Sequence, residues 1–305
     1  MESITSADIE SAFGDTLSPA LRAKVDGLKM RFERLTPAER DAYIINVLEV
    51  LMDREVPAAG KHRLPDWERG WKENLDAFVK TRSPDSLIPR YHRKRQLLHW
   101  RQDIVRGVSE DLDLILHEVL IDYTFEKYFR TQPAVFEFGC GPAYHLLRLR
   151  KYNPNACLFG LDWATPSQRI IEELRARGVE PNIHGHNFNF FEPDYSVEMP
   201  PGSGVYTVAA LEQVGAAHGA FLQFLIKKRP AICVHLEPIG ELLDSTNLPD
   251  RLSQLYFRKR NYLQGFLIRL RELQKQGVVT IHREQRTYTG SYFIEGHSMV
   301  VWSPN

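Results

Sequence analysis

The sequence predicts an α/β fold in which a doubly wound, mostly parallel sheet follows an all-helical N-terminal region. From residue 131 onward, short apolar runs alternate with helical patterns, which is typical of the βα units that build parallel sheets. The first apolar run, 135–138, ends at a turn containing Gly139 and Gly141, and a helical pattern follows it. The chain closes with two predicted strands, 278–284 and 292–302, without a helix between them.

The composition limits the functions that the chain can have. Its 305 residues include 39 basic and 39 acidic side chains, so the formal net charge is zero. Nucleic-acid-binding proteins usually carry a basic excess, and this balance argues against a nucleic-acid partner. The three cysteines lack metal-ligand spacing, which predicts free thiols in a reducing compartment and no metal site. No apolar run is long enough to span a membrane and no signal-peptide pattern opens the chain, so we expect a cytoplasmic protein that is not a membrane protein.

Residues 1–130 show helical periodicity and are predicted to form a helical substrate-binding or lid region. Apolar residues recur at steps of three and four over 17–32 and again over 111–128. A helix is predicted to begin at Thr36, because a threonine cap followed by Pro37 and by an acid three positions after the cap satisfies the free amides of a first turn. The remaining residues, 131–305, are assigned to the α/β domain.

The most basic stretch of the chain, 90–101, lies in this N-terminal region, and Arg106 adds one more charge nearby. Three interpretations are open: a solvated helix face, an anion site for a carboxylate, and a nucleic-acid patch, which flanking acidic residues disfavour. Arginine forks match carboxylates well, so Arg101 and Arg106 are candidate binding residues for an anionic acceptor. Trp67 and Trp71, four positions apart on one helix face, are candidates for a pocket wall or lid.

Polar residues follow the predicted parallel strands. After 135–138, the strands are predicted at 156–161, 181–186, 205–211 and 231–236. The polar residues at or just after their ends are Asp162, Asn187, Glu212 and Glu237. Ligands of doubly wound sheets bind at the carboxyl ends of the strands, where these side chains are expected to meet. The sequence therefore predicts a ligand site at this edge.

The spacing of the glycines separates two classes of cofactor. A dinucleotide fingerprint requires a third glycine three positions after the second, and that position holds Tyr144. No lysine follows the glycines as it does in a phosphate-binding P-loop. The pattern is instead Glu137-x-Gly139-x-Gly141-x-Ala143, which resembles the first motif of the class I S-adenosylmethionine-dependent methyltransferases. Ala143 stands where that family usually has a third glycine.

The resemblance covers about 131–302 and implies a seven-stranded sheet whose last strand is antiparallel. It implies that Gly139 and Gly141 approach the methionine part of S-adenosylmethionine, and that Glu137 orients this part. Asp162 would accept hydrogen bonds from both ribose hydroxyls. The residues implied to contact adenine are Trp163, for which a packing role is equally open, and the pair Asn187 and Phe188. Glu212 is implied as a further cofactor-binding residue, in a stretch where Gln213 replaces the family's histidine.

Candidates for a general base lie near the same edge. The residues considered are His145, Glu212, His235, Glu237 and Glu241, of which His235 lies within a strand and is better explained by packing. We select Glu237, Glu212 and His145 as catalytic candidates, with Glu237 first because it ends the fifth strand. Tyr292 and His297 in the terminal strands are candidates for the wall of the substrate pocket.

The sequence thus predicts a methyltransferase that acts on an O or N nucleophile of a small metabolite in a biosynthetic pathway and releases S-adenosylhomocysteine. An RNA or protein methyltransferase and a non-catalytic S-adenosylmethionine-binding scaffold are the alternatives. A nicotinamide-dependent oxidoreductase is disfavoured by Tyr144. The identity of the acceptor and the oligomeric state, a homodimer included, stay open.

Overall fold

The computed structural model describes residues 1–89 and 95–305, which form two β-sheets and the helices packed on them. The N-terminal strands are β1 (Glu2–Ser3), β2 (Arg31–Arg34), β3 (Leu97–Trp100) and β4 (Asp103–Gly107). The N-terminal helices are α1 (Ser6–Phe13), α2 (Pro19–Gly27), α3 (Pro37–Met52), α4 (Leu64–Thr81) and α5 (Leu112–Tyr128).

The C-terminal part alternates between strands and helices as predicted. Its strands are β5 (Ala134–Phe138), β6 (Cys157–Asp162), β7 (Ile183–Asn187), β8 (Gly204–Val208), β9 (Ile232–Glu237), β10 (Val279–Gln285), β11 (Thr289–Gly290) and β12 (Ser298–Pro304). Its helices are α6 (Tyr144–Leu149), α7 (Thr165–Ala176), α8 (Gly219–Lys228), α9 (Leu248–Lys259) and α10 (Phe266–Lys275). Short 3₁₀ turns lie at Lys61–Arg63, Pro84–Leu87, Leu211–Val214 and Gly240–Leu242.

The larger sheet has seven strands in the order β10-β12-β9-β8-β5-β6-β7. Strands β5 to β9 run parallel to their neighbours, and β12 pairs antiparallel with both β9 and β10. The last strand is therefore inserted antiparallel between two earlier ones, which confirms the predicted sheet. Strand β12 begins at Ser298, so 292–297, which the sequence assigned to this strand, is a connecting segment.

The prediction of an all-helical N-terminal region is wrong. Four strands of this region, joined by β11 from near the C-terminus, form a second sheet in the order β1-β2-β4-β3-β11. Strands β3 and β4 form a hairpin whose turn residues, Arg101 and Gln102, both have left-handed φ angles of 49° and 63°. Because glycine and asparagine normally mark such turns, this pair gave no hairpin signal. Residues 90–94 of the basic stretch lie outside the described residues.

The predicted helix at 17–32 is also shorter than expected. Helix α2 ends at Gly27, since Leu28 is extended, and Phe32 is buried on strand β2. The predicted helix start at Thr36 is confirmed: its side chain accepts from the amide of Glu39, and the Glu39 carboxylate accepts from the amide of Thr36. This reciprocal cap sets the first turn of α3.

The hydrophobic core lies on both faces of the seven-stranded sheet. Alternate residues of β5 point to opposite faces, so Val135 belongs to one cluster while Phe136 and Phe138 belong to the other. The cluster with Val135 also contains Ile9 and Leu120 of the N-terminal helices. The helical region therefore shares a continuous core with one face of the sheet.

The predicted compartment was based on the state of the three cysteines and on the absence of a membrane-spanning segment. Cys140, Cys157 and Cys233 are free thiols, as predicted. Within residues 1–89 and 95–305, no helix is both long and apolar enough to cross a membrane.

Candidate active site

A pocket lies at the carboxyl ends of β5, β6 and β8, where the sequence predicted a ligand site. Its wall includes the glycine turn after β5 and the acid that ends β6. We call it the strand-end pocket and define it by Gly139, Gly141, Asp162, Trp163, Phe188 and Gln213. The predicted cofactor residues Gly139, Gly141, Asp162, Trp163 and Phe188 thus share one pocket.

Both the backbone conformation and the close packing of the turn after β5 require glycine at Gly139 and Gly141. Gly139 and Gly141 have φ angles of 74° and 50°, in the left-handed region that disfavours a side chain. A Cβ on Gly139 would lie 2.3 Å from Cβ of Ala210, and a Cβ on Gly141 would lie 2.9 Å from the Trp71 ring. Ala143 also has a positive φ, 60°, which accounts for glycine being the usual residue at this motif position.

Asp162 fixes the two loops that border the strand-end pocket. One carboxylate oxygen accepts from the amide of Gly141 at 2.9 Å and the other accepts from the amide of Ala164 at 2.9 Å. Burial raises the pKa of Asp162 to about 6, although these two amides oppose the shift. Since a carboxylate has about four acceptor sites, it can still accept two hydroxyl hydrogen bonds from a ligand.

Aromatic rings form the remainder of this pocket wall. The Trp67 and Trp71 rings stack with centroids 5.5 Å apart, and Trp163 lies near Phe191 with centroids 6.2 Å apart. The amide nitrogen of Asn187 donates to the Trp163 carbonyl at 2.9 Å, so this residue orients the Trp163 loop and does not itself line the pocket. An acid beside flat aromatic surfaces is suited to a nucleoside.

Glu137 faces the interior and not the strand-end pocket. It is 1% exposed, and its two carboxylate oxygens contact Nδ1 of His145 at 2.9 Å and the Tyr206 hydroxyl at 3.1 Å. His145, in contrast, lines the strand-end pocket. Any influence of Glu137 on a ligand there therefore passes through His145.

A second pocket adjoins the first one. Four residues line both: Trp67, Trp71, Ala209 and Gln213. Most of the rest of the second pocket comes from α4, α5, the end of α9 with the residues just after it, and the segment 289–297. Its wall carries the aromatic rings of Tyr256, Tyr262, Tyr292 and Phe293. Its charged residues are four arginines, Arg63, Arg69, Arg95 and Arg260, and four acids, Asp66, Glu73, Asp113 and Glu212. Tyr292 and His297, both predicted to line the substrate pocket, lie here.

The two candidate catalytic glutamates have different environments. Glu237 lines neither pocket and accepts from the amides of Ala210, Leu211 and Glu212 at 3.1, 3.0 and 3.1 Å. It thereby holds the turn after β8, while burial raises its pKa to about 7. We therefore assign Glu237, the first catalytic candidate from the sequence, a positioning role.

Glu212 lines the second pocket and not the strand-end pocket. Burial raises its pKa to about 8, with repulsion from Glu237 as the next contribution, so its carboxyl group holds a proton at neutral pH. One of its oxygens accepts from the amide nitrogen of Gln213 at 2.8 Å. In this state Glu212 is suited to donating a hydrogen bond rather than to accepting a proton.

Arg101 and Arg106, the predicted anion-binding residues, lie outside both pockets. Arg101 pairs with Asp8 at 3.0 Å and packs over Trp100, and Arg106 pairs with Glu39 at 2.8 Å. These two ion pairs explain why the arginines lie outside the pockets: Arg101 in the hairpin turn pairs with Asp8 in the first turn of α1, and Arg106 of β4 pairs with Glu39 in the first turn of α3.

The sequence analysis did not identify several other residues that line the second pocket. Arg63, Arg95 and Arg260 are scattered along the chain and form no motif. His117 lies within a helix that was predicted correctly, but a single histidine among apolar residues resembles an ordinary packing residue. Among the described residues, no group of three or more metal-ligating side chains could hold a metal ion.

The order of the seven-stranded sheet, the glycine turn after β5 and the acid at the end of β6 are the features that the sequence resemblance to class I methyltransferases implied. No protein-family model matches the chain, and no curated protein matches it by sequence.

Three of the solved structures with a similar chain trace are NcsB1, PigF and TnmH. The O-methyltransferase NcsB1 from neocarzinostatin biosynthesis, in complex with S-adenosylmethionine and 2-hydroxy-5-methyl naphthoic acid, is 18% identical over 99% of this chain and 89% of its own, with a TM-score of 0.43. PigF with S-adenosylhomocysteine is 13% identical over 94% and 83%, with a TM-score of 0.47. TnmH is 16% identical over 88% and 70%, with a TM-score of 0.47. At these values the likeness carries no conclusion about chemistry, which rests on the two pockets themselves.

Proposed function

We propose that the protein is an enzyme that binds S-adenosylmethionine in the strand-end pocket and transfers its methyl group to an O or N nucleophile in the second pocket. The observation that carries the proposal is the contact between the two pockets at Trp67, Trp71, Ala209 and Gln213. A methyl donor in the first pocket would meet an acceptor in the second at this shared wall. S-adenosylhomocysteine is the expected product.

The residues of the strand-end pocket fit each part of this cofactor. The glycine turn borders the methionine chain, because Gly139 and Gly141 line this pocket, and their missing side chains leave room for Ala210 and Trp71 beside the turn. Asp162 accepts the ribose hydroxyls, and the aromatic faces of Trp163 and Phe188 border the adenine. When bound, the sulfonium cofactor supplies an activated methyl group.

The chain's own contribution to methyl transfer is alignment and exclusion of water. An in-line displacement from sulfur requires the nucleophile, the methyl carbon and the sulfur to be collinear, so positioning supplies much of the rate. Trp71 is 8% exposed and lines both pockets, which places a rigid ring at the junction. Gln213 also lines both pockets and offers an amide that can orient the acceptor.

The lining of the second pocket favours a flat acceptor that carries an anionic group. Tyr256, Tyr262 and Tyr292 offer aromatic contact, and Arg260 offers a cationic fork, whereas Arg63 pairs with Asp66 at 2.8 Å. A suitable first probe is 1,4-dihydroxy-2-naphthoic acid, the compound bound in one NcsB1 structure, because it combines a flat ring system with a carboxylate and hydroxyl groups. We also propose that the enzyme acts in a biosynthetic pathway that produces or modifies such small aromatic acids.

The test is methyl transfer from radiolabelled S-adenosylmethionine to a panel of hydroxylated and aminated aromatic acids that starts with 1,4-dihydroxy-2-naphthoic acid. We expect at least one acceptor to gain label and one equivalent of S-adenosylhomocysteine to form with it. Cofactor binding with no labelled product across the panel would favour a non-catalytic binding protein. Label in added RNA or protein instead would favour a macromolecular substrate.

A further inference from the structure

Arg260 is a partly buried cation in the wall of the second pocket. Its Nη1 donates to the Tyr256 hydroxyl at 3.1 Å, and its Nε is enclosed without a hydrogen-bond partner. Its Nη2 is not enclosed in this way and has no hydrogen-bond partner among the residues that the structure describes, where the guanidinium also forms no ion pair. Because a charge that is taken out of water loses solvation, this arrangement is costly unless a ligand supplies an anion.

Neighbouring residues hold Arg260 in this place. Its carbonyl oxygen accepts from the amide of Ala59 at 2.6 Å. Its guanidinium carbon lies 5.7 Å from the ring centroid of Tyr256 and 5.2 Å from that of Tyr262. The Tyr256 ring stacks on Phe293 with centroids 5.1 Å apart. These three rings also line the second pocket, so flat apolar surface and a cation adjoin in its wall.

A cation at a helix C-terminus also interacts favourably with the helix dipole, which is a second explanation for Arg260. The last turn of α9 already contains Arg258 and Lys259. Arg258 is exposed and lies outside both pockets, whereas Arg260 is part of the second pocket's wall. The dipole therefore does not account for the enclosure of Arg260 among aromatic rings.

Glu212 is the acid whose charge acts on Arg260. Burial, followed by repulsion from Glu237 on β9, raises the pKa of Glu212 to about 8, while Gln213, Arg260 and Tyr262 oppose the rise. Glu212 is therefore mostly protonated at neutral pH. The charge of Arg260 then has no counter-charge within the pocket wall.

The other arginines of the second pocket are in different environments. Arg63 and Arg69 both pair with Asp66, at 2.8 and 2.5 Å. Arg95 lies over the ring of Tyr292, 5.0 Å from its centroid, but is exposed, so water solvates its charge. The further titratable residues of this wall are Glu73 on α4, Asp113 and His117 on α5, Tyr256 on α9, and His297.

We propose that Arg260 binds a carboxylate of the methyl acceptor, and that Glu212 competes with this carboxylate once it ionises. The inference rests on the proposed function and deepens it by assigning the anionic group and its binding residue. The acceptor's carboxylate supplies the anion that Arg260 lacks, and its flat ring lies along the tyrosine rings beside the guanidinium. An ionised Glu212 would instead pair with Arg260 and repel the acceptor.

The first test compares two probes that share a shape and differ in charge. 2-Naphthoate has a flat ring system and a carboxylate, and 2-naphthamide has a neutral amide in place of the carboxylate. In calorimetric titrations of the full chain at pH 7, naphthoate should bind about tenfold or more tightly, the effect of a charge-assisted hydrogen bond. Equal affinity, or no binding of either probe, would overturn the inference.

This comparison is independent of methyl transfer. A preference for naphthoate together with labelled product from the acceptor panel would support both the carboxylate site and the proposed function. The same preference with no labelled product from any acceptor would count against the proposed function alone.

A charge-matched pair of variants tests Arg260 itself. Arg260→Gln should bind naphthoate and naphthamide equally, whereas Arg258→Gln, which removes an exposed arginine of α9, should keep the preference for naphthoate. Arg260→Lys, which keeps the charge and loses the planar fork, should show an intermediate preference. Equal weakening of both probes in Arg260→Gln would identify Arg260 as a structural residue and overturn its role.

The pH dependence tests the part of Glu212. Carboxyl groups ionise near pH 4 and amides do not titrate, so neither probe changes its charge between pH 7 and pH 9. Naphthoate affinity should fall by up to about tenfold over this range, because Glu212 ionises, while naphthamide affinity stays constant. In Glu212→Gln, naphthoate affinity should be equal at the two pH values. A fall that persists in Glu212→Gln would overturn the proposed competition.

Discussion

Asp162 combines two tasks at the scale of the single residue. Its carboxylate holds the glycine turn through Gly141 and the following loop through Ala164, and the same oxygens are the proposed acceptors for ribose. Burial removes solvation from the charged carboxylate and so raises its pKa, and the hydrogen bonds from the two amides partly oppose that rise. The sequence predicted the ligand role from strand-end position but could not show the backbone hydrogen bonds.

This environment predicts a pH dependence of cofactor binding. Because burial raises the pKa of Asp162 to about 6, its side chain is an ionised carboxylate above that pH and becomes protonated below it. We expect the affinity for S-adenosylhomocysteine, measured by calorimetry, to be constant above pH 7 and to fall by up to about tenfold per pH unit below pH 6. Asp162→Asn should bind more weakly and lose this dependence; an acidic limb retained in Asp162→Asn would assign it to another group.

Gly139 permits a matched test of close packing. Gly139 and Gly178 both have left-handed φ angles, 74° and 69°, but a Cβ would clash with Ala210 at the first and meet open space at the second. Gly178→Ala should therefore cost about 1 kcal/mol of unfolding free energy, the conformational term alone. Gly139→Ala should cost clearly more in urea titrations and should abolish cofactor binding. Equal losses in the two variants would contradict the packing argument.

At the scale of elements, the β3–β4 hairpin explains where the sequence analysis failed. Its turn residues, Arg101 and Gln102, adopt left-handed φ angles that are unusual for their types, so propensity gave no warning of a hairpin. Strand β11, only two residues long, joins this sheet by pairing Thr289 with Trp100 of β3, which lies far earlier in the chain. Such long-range pairing has no local signal, whereas the βα units that carry the cofactor residues have a strong one.

The same element predicts which arginines matter for the acceptor. Arg101→Ala and Arg106→Ala should leave the Michaelis constant of the acceptor unchanged, because these side chains pair with Asp8 and Glu39 away from both pockets. Each exposed pair should contribute little to stability, because solvent and salt screen it. Arg260→Ala, which removes a cation from the second pocket, should raise the acceptor's Michaelis constant. A raised constant in the first two variants would restore the anion-site hypothesis for them.

At the scale of the whole molecule, the N-terminal region and the sheet behave as one packing unit. Leu120 of α5 and Val135 of β5 belong to the same core cluster, and the second pocket takes residues from both regions. The cofactor half of the site was predictable because its residues follow successive strands of one motif. The acceptor half was not, because His117, Arg260 and Tyr262 come from separate elements that only the fold brings together.

The shared core predicts cooperative unfolding. In urea, tryptophan fluorescence and far-ultraviolet circular dichroism should give coincident transitions for the full chain, because neither region buries its apolar surface alone. A fragment spanning 131–305 should expose the face around Val135 and aggregate or remain unfolded. Two separate transitions, or a folded fragment, would support the division into independent units at residue 130.

The central claim is that the strand-end pocket is a site for S-adenosylmethionine, and calorimetric titration of the full chain tests it most directly. We predict saturable binding of S-adenosylmethionine and S-adenosylhomocysteine, none of NADH, weakened binding in Asp162→Asn, and wild-type binding in Asp76→Asn, which alters an exposed acid paired with Lys72 on α4. Absence of binding of both sulfur cofactors to the folded protein, or equal affinity in Asp162→Asn, would contradict the account.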